Sequence, residues 1–349
     1  MVFGKGDRMK RRLIAIISIL SICISMSGCM WEKNEQKPEL VRGEPPVYED
    51  GLIHVGMIQT GKESDWRDAN TNDYLDTFVE KKGYELIYID GNSSAERQVK
   101  AMYDLIQQNV DYIIVQPIVE SGWKDAMIAA KQAGIPVIVA DRQMNVPEEL
   151  YVSWIGSNFH EEGLKAVAWL DEYLRSQGRE KEQIDIILLE GTPGATATLG
   201  RSNGIIEGLE QHENWEIVDR GFANFTQGEG QTYMEQLLES ERVKEFDVII
   251  AENDNMIFGA MKALEKKGIS YGPDGDVIML SFDALGEAFD KMIAGQLHAT
   301  IECNPLLAGN VEKVILDLEA GRTVEKMYYT EESVFDYLNA EEFIDTRKY

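Results

Sequence analysis

From Leu52 onward, short runs of apolar and β-branched residues alternate with longer segments in which apolar residues recur every three or four positions. The short runs predict buried strands, and the longer segments predict amphipathic helices. The predicted strands cover residues 53–58, 85–90, 112–116, 136–140, 152–156, 184–189, 215–220, 247–251, 277–281 and 299–302. In the first half, the predicted helices cover residues 66–82, 95–108 and 122–133. This alternation predicts parallel sheets covered by helices on both faces, and the two clusters of strands predict an α/β protein with two Rossmann-like lobes.

Local signals place several helix ends. The pattern Ser93-x-x-Glu96 predicts a capping box at the start of one helix. Gly83 and Gly134 lie where C-terminal caps are expected. Pro305 follows the last predicted strand and predicts a helix that begins at the proline.

The N-terminus is typical of an export signal. Five basic residues precede an apolar run at 13–26, which is shorter than the roughly 20 residues that a membrane span needs. Ser27-Gly28-Cys29 resembles a bacterial lipobox, so we expect a signal peptide at 1–28, lipid attachment at Cys29 and a polar tether at 29–50. An uncleaved anchor helix is the alternative. Both interpretations place the body on the extracytoplasmic side of the bacterial cell membrane, at the cell surface or in the periplasm.

The net charge and the cysteine content disfavour two classes of protein, nucleic-acid-binding proteins and disulfide-rich proteins. The formal net charge of the 349 residues is −27, and no dense basic cluster follows position 12, which disfavours nucleic acid as a partner. The three cysteines are Cys23, Cys29 and Cys303. Cys23 would be removed with the signal peptide and Cys29 would be lipidated. Because only Cys303 would then remain as a free thiol, no disulfide framework is expected.

Open parallel sheets bind ligands beyond the carboxyl ends of their strands, so the residues that follow each strand are the candidate site. Trp66 and Arg67 follow the first strand and offer an aromatic face and a fork of hydrogen-bond donors. Asp141 and Arg142 follow the fourth strand and place an acceptor of hydrogen bonds beside a donor. The alternatives are a core tryptophan with a solvated arginine, and a surface ion pair.

The second half repeats this arrangement. Its candidate residues are Arg201, Phe225, Asn253, Asp254 and Asp283. The loop before Arg201 has neither the spacing nor the lysine of a phosphate-binding P-loop, which disfavours nucleotide binding. Each short polar residue, taken alone, is also a common helix N-cap, so the prediction depends on how many of them follow strands.

These residues together resemble the type I periplasmic binding proteins of the ribose- and galactose-binding group, over nearly the whole chain after position 51. The resemblance is carried by Asp141-Arg142, by residues 251–256 (AENDNM) and by Ser281-Phe282-Asp283. Residues 63–67 (ESDWR) and 115–119 (VQPIV) are more similar to the galactofuranose-binding branch.

The resemblance implies a ligand clamped between lobes that are joined by three chain crossings. The implied lobes are residues 51–157 plus 304–332 and residues 158–303 plus 333–349. The implied function is an extracytoplasmic binding protein that captures a monosaccharide, a galactofuranose-like hexose or a pentose, for an ABC transporter permease. All the candidates above except Asp254 are the implied contacts by position. Asp254 is a candidate because Asn253 and Asp254 are short polar residues that follow the strand predicted at 247–251. Cys303 stands where ribose-binding proteins carry a glutamine, and which of Glu302, Cys303 and Asn304 meets the ligand is left open.

Other functions remain to be weighed. The same clamp suits a sugar sensor for a histidine kinase or chemoreceptor, and a neighbouring permease or kinase gene would discriminate the two. A repressor of the same fold would need a basic N-terminal DNA-binding segment. An enzyme is disfavoured because the four histidines are scattered and no nucleophile motif occurs. We expect no cofactor. We also expect no metal, because no calcium-binding loop of alternating acidic residues is found. We expect the protein to be a monomer.

Overall fold

The computed structural model describes residues 48–240, 242–243 and 245–349. The predicted signal peptide and Cys29 lie outside these residues. Within them, no helix combines the length and apolar content needed to cross a membrane.

Two six-stranded sheets form the framework. The first contains β1 to β5 and β11, in the order β11-β5-β4-β3-β1-β2, and all its paired strands are parallel. The second contains β6 to β10 and β12, in the order β12-β10-β9-β8-β6-β7, with only the β10–β12 pair antiparallel. In chain order the strands are Ile53–Gln59, Tyr84–Asp90, Tyr112–Val115, Val137–Ala140, Ser153–Gly156, Ile184–Glu190, Trp215–Phe222, Val248–Ala251, Ile278–Asp283, Ala299–Glu302, Met327–Tyr329 and Val334–Asp336.

Helices cover both faces of each sheet, as the continuously buried strands require. In chain order, α1 to α10 of the described residues are Asp65–Thr77, Ala95–Gln108, Lys124–Ala133, Phe159–Ser176, Thr196–Leu209, Gln227–Glu239, Asp254–Lys267, Gly286–Ile293, Ala308–Glu319 and Ala340–Phe343. Each sheet separates two apolar clusters, one on each face. The predicted class, an α/β protein with two parallel-sheet lobes of the type I periplasmic binding protein fold, is therefore confirmed.

Three predicted details at helix ends are wrong or incomplete. The N-cap of α2 is Ser94, whose hydroxyl accepts from the Arg97 amide, whereas Ser93 has a φ of +54° in the preceding turn. The first helix ends at Thr77, and a separate 3₁₀ turn at Glu80–Lys82 follows it. The last long helix begins at Ala308 and not at Pro305, with Leu306 and Leu307 between them. Gly83 and Gly134 do cap helices in the left-handed conformation, as predicted.

The chain passes three times between the two sheets. The crossings run from β5 to α4, from β10 to α9 and from β11 to β12. A single carboxyl group contacts all three, because Glu332 accepts hydrogen bonds from the Ser157 hydroxyl, from the Asn304 amide at 3.1 Å and from the Thr330 hydroxyl at 2.7 Å. Burial, followed by the nearby Glu162 carboxylate, raises the pKa of Glu332 to about 8.

Candidate binding cleft between the lobes

A cleft lies between the carboxyl ends of strands from both sheets and contains about 280 Å³ of space, part of it open to solvent. Its lining combines aromatic rings with charged and amide side chains: Glu63, Ser64, Trp66, Arg67, Asp141, Arg142, Phe159, Ala197, Arg201, Phe225, Asn253, Asp283 and Cys303. Every predicted site residue except Asp254 lies in this lining.

Arg67 organises the wall formed by the first lobe. Ser64 caps α1 by accepting from the Arg67 amide, which fixes the helix start at the end of β1. The buried guanidinium donates to Asp141 at 2.6 Å, to Glu63 at 3.0 Å and to the side-chain oxygen of Gln116. Burial alone would raise the pKa of Glu63, but the guanidinium groups of Arg142 and Arg67 outweigh it and hold that pKa below its usual value. Glu63 is therefore a fixed carboxylate.

Arg142 shares Glu63 with Arg67. Its Nη2 donates to Glu63 at 2.5 Å, and its guanidinium carbon lies 4.8 Å from the centre of the Phe225 ring of the other lobe. Its Nε is buried without a hydrogen-bond partner among the described residues. A buried donor without a partner is costly, so this atom favours an acceptor in the cleft.

Arg201 holds the wall of the second lobe. Nε donates to Glu162 at 2.6 Å, Nη1 donates to the Glu252 carbonyl oxygen, and Nη2 donates to Asp283 at 3.3 Å. Burial raises the pKa of Asp283 well above its usual value, because the opposing effect of Arg201 is smaller. The carboxyl group of Asp283 therefore holds a proton more tightly than an ordinary aspartate does.

The aromatic residues are anchored from outside the cavity. Trp66 Nε1 donates to the Cys303 carbonyl oxygen at 2.6 Å, which ties the ring to the second chain crossing. Phe225 fits against Gly191, where an added Cβ would lie 2.0 Å from a ring atom. Only glycine allows this packing.

Backbone strain is concentrated at the same place. Asp141 and Phe225 have φ values of +60°, and Asp283 has a φ of +109°. Such values are disfavoured for residues with a side chain and occur most often at functional sites. Three of the predicted site residues are thus held in conformations that the surrounding fold must impose.

Asn253 and Asp254 separate at the start of α7. The Asn253 oxygen caps the Met256 amide at 2.9 Å while its nitrogen donates to the Phe225 carbonyl oxygen at 3.0 Å. Asp254 lies outside the cavity lining, fully buried, and accepts from Ser281, from the Leu285 amide and from Thr300. Its two oxygens hold neighbouring segments in place.

Sequence reasoning missed Glu63 and Phe159 as lining residues. Glu63 stands four residues before Arg67, a spacing that permits an ion pair on a helix. Phe159 follows the β5 strand, just as the other candidates follow theirs. Of the three residues left open at the second crossing, Cys303 lines the cavity, whereas Glu302 binds Arg347 at 2.8 Å.

The lobes also touch each other directly beside the cavity. Asp65 and Asn255 exchange two hydrogen bonds, at 2.7 and 3.2 Å. The Gln143 amide donates to the Thr196 hydroxyl at 2.8 Å, and the Glu120 amide donates to the Gly194 carbonyl oxygen at 3.0 Å. The two halves of the site are therefore brought together in a closed arrangement.

Comparisons with known proteins agree with this architecture. The galactofuranose-binding protein YtfQ of Escherichia coli (strain K12) is 29% identical over 299 residues, which cover 85% of this chain and 92% of that protein. A solved structure from Mycobacterium smegmatis in complex with β-D-fucofuranose superposes with a TM-score of 0.80 at 33% identity, covering 85% of this chain and 96% of that one. The arabinose-transporter binding component of Shewanella sp. ANA-3, bound to L-arabinofuranose, gives 0.78 at 32% identity, covering 84% and 95%.

The family model of the periplasmic binding protein domain matches residues 55–311. This range includes both sheets apart from β11, β12 and the first two residues of β1, and it contains every residue of the cavity lining. The chain belongs to the periplasmic binding protein family.

Proposed function

We propose that this chain is a lipid-anchored extracytoplasmic solute-binding protein, and that it captures a neutral monosaccharide in the cleft and delivers it to an ABC importer. The observation that carries the proposal is the closed cavity between the lobes, lined by rings and by hydrogen-bonding groups fixed on rigid elements. Sugars present both C–H faces and hydroxyl groups, so they suit such a lining. The three relatives above are named for furanose sugars or bound to them, which favours a galactofuranose-like hexose or a pentose in furanose form.

The balance of charge supports a neutral ligand. Arg67, Arg142 and Arg201 are each paired with a carboxylate: Glu63 and Asp141 in one lobe and Glu162 in the other. An anionic ligand would have to compete with these buried pairs, and breaking such a pair is strongly unfavourable. Sugar phosphates and sugar acids, which the arginines alone would suggest, are therefore disfavoured.

Catalysis is disfavoured by the same pairing. Asp141 and Asp283, the two carboxyl groups that could imitate a glycosidase pair, are each bound to an arginine. A glycosidase needs one carboxyl group free to protonate the leaving oxygen and the other free to attack or to activate water. We therefore assign both groups to the recognition of hydroxyls.

The first test is calorimetric titration of residues 30–349 with neutral furanose-forming sugars and with charged comparators. We expect saturable binding of at least one neutral sugar, and at least tenfold weaker binding of its phosphate or uronic acid counterpart. Equal or tighter binding of the charged counterpart would contradict the neutral-ligand proposal. Consumption of the sugar during the titration would contradict the assignment as a binding protein.

The second test removes individual lining residues. Trp66→Ala and Arg142→Ala are each expected to weaken sugar binding at least tenfold, or about 1.4 kcal/mol, because the first loses an apolar face and the second a buried donor. Phe222→Ala and Arg322→Ala are matched controls, since both side chains are exposed and neither lines the cavity. Calorimetry gives the affinities, and thermal melting shows whether each variant is folded. Unchanged affinity in both cleft variants would discredit the assigned cleft.

A further inference from the structure

A buried histidine meets carboxylates at the start of β1, at the opposite end of the strand from the cleft. His54 is fully buried, and its Nε2 lies 3.1 Å from an oxygen of Asp50 and 3.1 Å from an oxygen of Glu85. Glu85 faces it across the β1–β2 pair. On the other side of the ring, Nδ1 lies 3.6 Å from Oδ2 of Asp111. The imidazole thus has acidic groups at both nitrogens.

Hydrogen bonds to the backbone explain why Asp111 stands at its position, but they do not explain the imidazole of His54. Asp111 exchanges bonds with the His54 backbone: its amide donates to the His54 carbonyl oxygen at 2.9 Å, and its Oδ2 accepts from the His54 amide at 2.7 Å. The second lobe repeats this exchange between Asp247 and Asp185, at 2.8 and 2.9 Å. Because an aspartate occupies the position of His54 there, the fold itself does not need a histidine at this point.

The hydrogen-bonding groups around the ring are all acceptors. Nδ1 has no hydrogen-bond partner among the described residues, and the Asp111 oxygen beside it can only accept from the ring. Nε2 likewise faces two carboxylate oxygens. The Leu52 amide donates to the other oxygen of Asp50 at 3.0 Å, which holds that side chain in place. Nε2 and the two carboxylate oxygens therefore face one another in an arrangement that a bound cation would bridge.

We propose that Asp50, His54 and Glu85 bind a divalent cation of the zinc class, with Asp111 orienting the imidazole. One imidazole nitrogen and two carboxylate oxygens are a ligand set that zinc takes, and a carboxylate behind the ligating histidine is its usual support. The three ligand atoms lie within 4.8 Å of one another. Ligands about 2.0–2.2 Å from a tetrahedral ion are roughly 3.3–3.6 Å apart, so small side-chain movements bring these atoms into place.

The exposure of the carboxylates gives the ion a path from solvent. The side chains of Asp50 and Glu85 are 43% and 53% exposed, whereas the Tyr48 ring stacks on the imidazole at 3.5 Å and covers one of its faces. A fourth position is left for water. The ion would join the segment that precedes β1 to the edge strand β2, at the place where the predicted tether enters the first lobe.

The sequence analysis expected no metal because it looked for a calcium loop of alternating acidic residues. The proposed ligands come from two separate segments, and the supporting Asp111 comes from a third. Strand pairing brings these segments together. Spacing along the chain therefore gave no signal for them.

The test is calorimetric titration of the full chain, freed of metal and held in detergent, with Zn²⁺, together with determination of bound metal by elemental analysis. We expect a zinc site that Glu85→Gln and Asp50→Asn each weaken at least tenfold and that His54→Gln abolishes. Glu216→Gln is the matched control, because Glu216 occupies the corresponding exposed position on the edge strand of the second sheet, opposite Asp185. Its zinc affinity should equal that of the unaltered chain.

The carboxylate variants keep the test decisive if the buried His54→Gln variant does not fold. Zinc affinity that is equal in the unaltered chain, Glu85→Gln and Asp50→Asn would overturn the proposal, as would an equal loss in Glu216→Gln. The absence of zinc binding in the unaltered chain would likewise overturn the proposal. Calcium bound as tightly as zinc would indicate a site made of oxygen ligands alone and would also overturn it.

Discussion

Replacing Arg201 with methionine is expected to lower the free energy of unfolding by about 3–5 kcal/mol, because it leaves buried partners of a charged pair without their counterpart. Glu162 is fully buried and loses a donor at 2.6 Å, while its other oxygen already has no hydrogen-bond partner among the described residues. The Glu252 carbonyl oxygen also loses its donor. Methionine has a similar length, so the loss is chiefly electrostatic.

Chemical denaturation of the sugar-free protein measures this effect. The double variant Arg201→Met/Glu162→Gln should recover a large part of the loss, since the unpaired carboxylate is gone. Arg322→Met is the control, because the Arg322–Asp317 pair is exposed and such pairs contribute about 0–1 kcal/mol. If Arg201→Met and Arg322→Met cost the same, or if the double variant is no more stable than Arg201→Met alone, the buried pair does not have the assigned role.

Stability is expected to fall as the pH rises from about 5 to about 8, and Glu332→Gln is expected to remove part of that dependence. The pKa of Glu332 is raised from 4.5 to about 8, so the folded state binds its proton more tightly than the unfolded state. The resulting stabilisation is fully present below pH 4.5, decreases by at most about 1.4 kcal/mol per pH unit above it, and is gone beyond about pH 8. Glutamine imitates the protonated carboxyl group at every pH.

Denaturation series at several pH values test this expectation. The pKa values of Asp254 and Glu252 are also raised by burial, to about 7 and about 8, so the unaltered protein should depend on pH more steeply than Glu332 alone requires. The stability difference between Glu332→Gln and the unaltered protein should therefore change steadily from pH 5 to pH 8. Glu331→Gln, a change at the exposed neighbour, should leave the pH dependence unaltered. A constant difference for Glu332→Gln would contradict the assigned proton.

Much of the fold could be predicted because buried parallel strands have a strong apolar signal. All ten predicted strands are present, with ends shifted by at most two residues. The strands β11 and β12 were not predicted, since each has only three residues and their mostly half-exposed side chains give no continuous apolar run. Pairing with β5 and β10 makes them strands, and this pairing depends on the tertiary structure.

The location of the site could also be predicted, because the residues after parallel strands must converge at one edge of each sheet. The direction in which an individual side chain points could not be predicted from the sequence. Asn253 and Asp254 are adjacent, yet one lines the cavity and the other points beneath it toward Ser281 and Thr300. The pairing of the arginines with acidic residues from distant segments could not be predicted either, and it favours the expected neutral monosaccharide over an acidic or phosphorylated sugar.

The exchange of hydrogen bonds between Asp65 and Asn255 has a kinetic consequence. Neither bond requires the sugar, so both bonds favour the closed form over the open form even when the cavity is empty. Two bonds of about 0.5–1.5 kcal/mol each correspond to a factor of roughly 5–150 in the balance between open and closed forms. Under the proposed function the sugar would leave when the lobes separate, and its dwell time would then depend partly on a contact that never touches it.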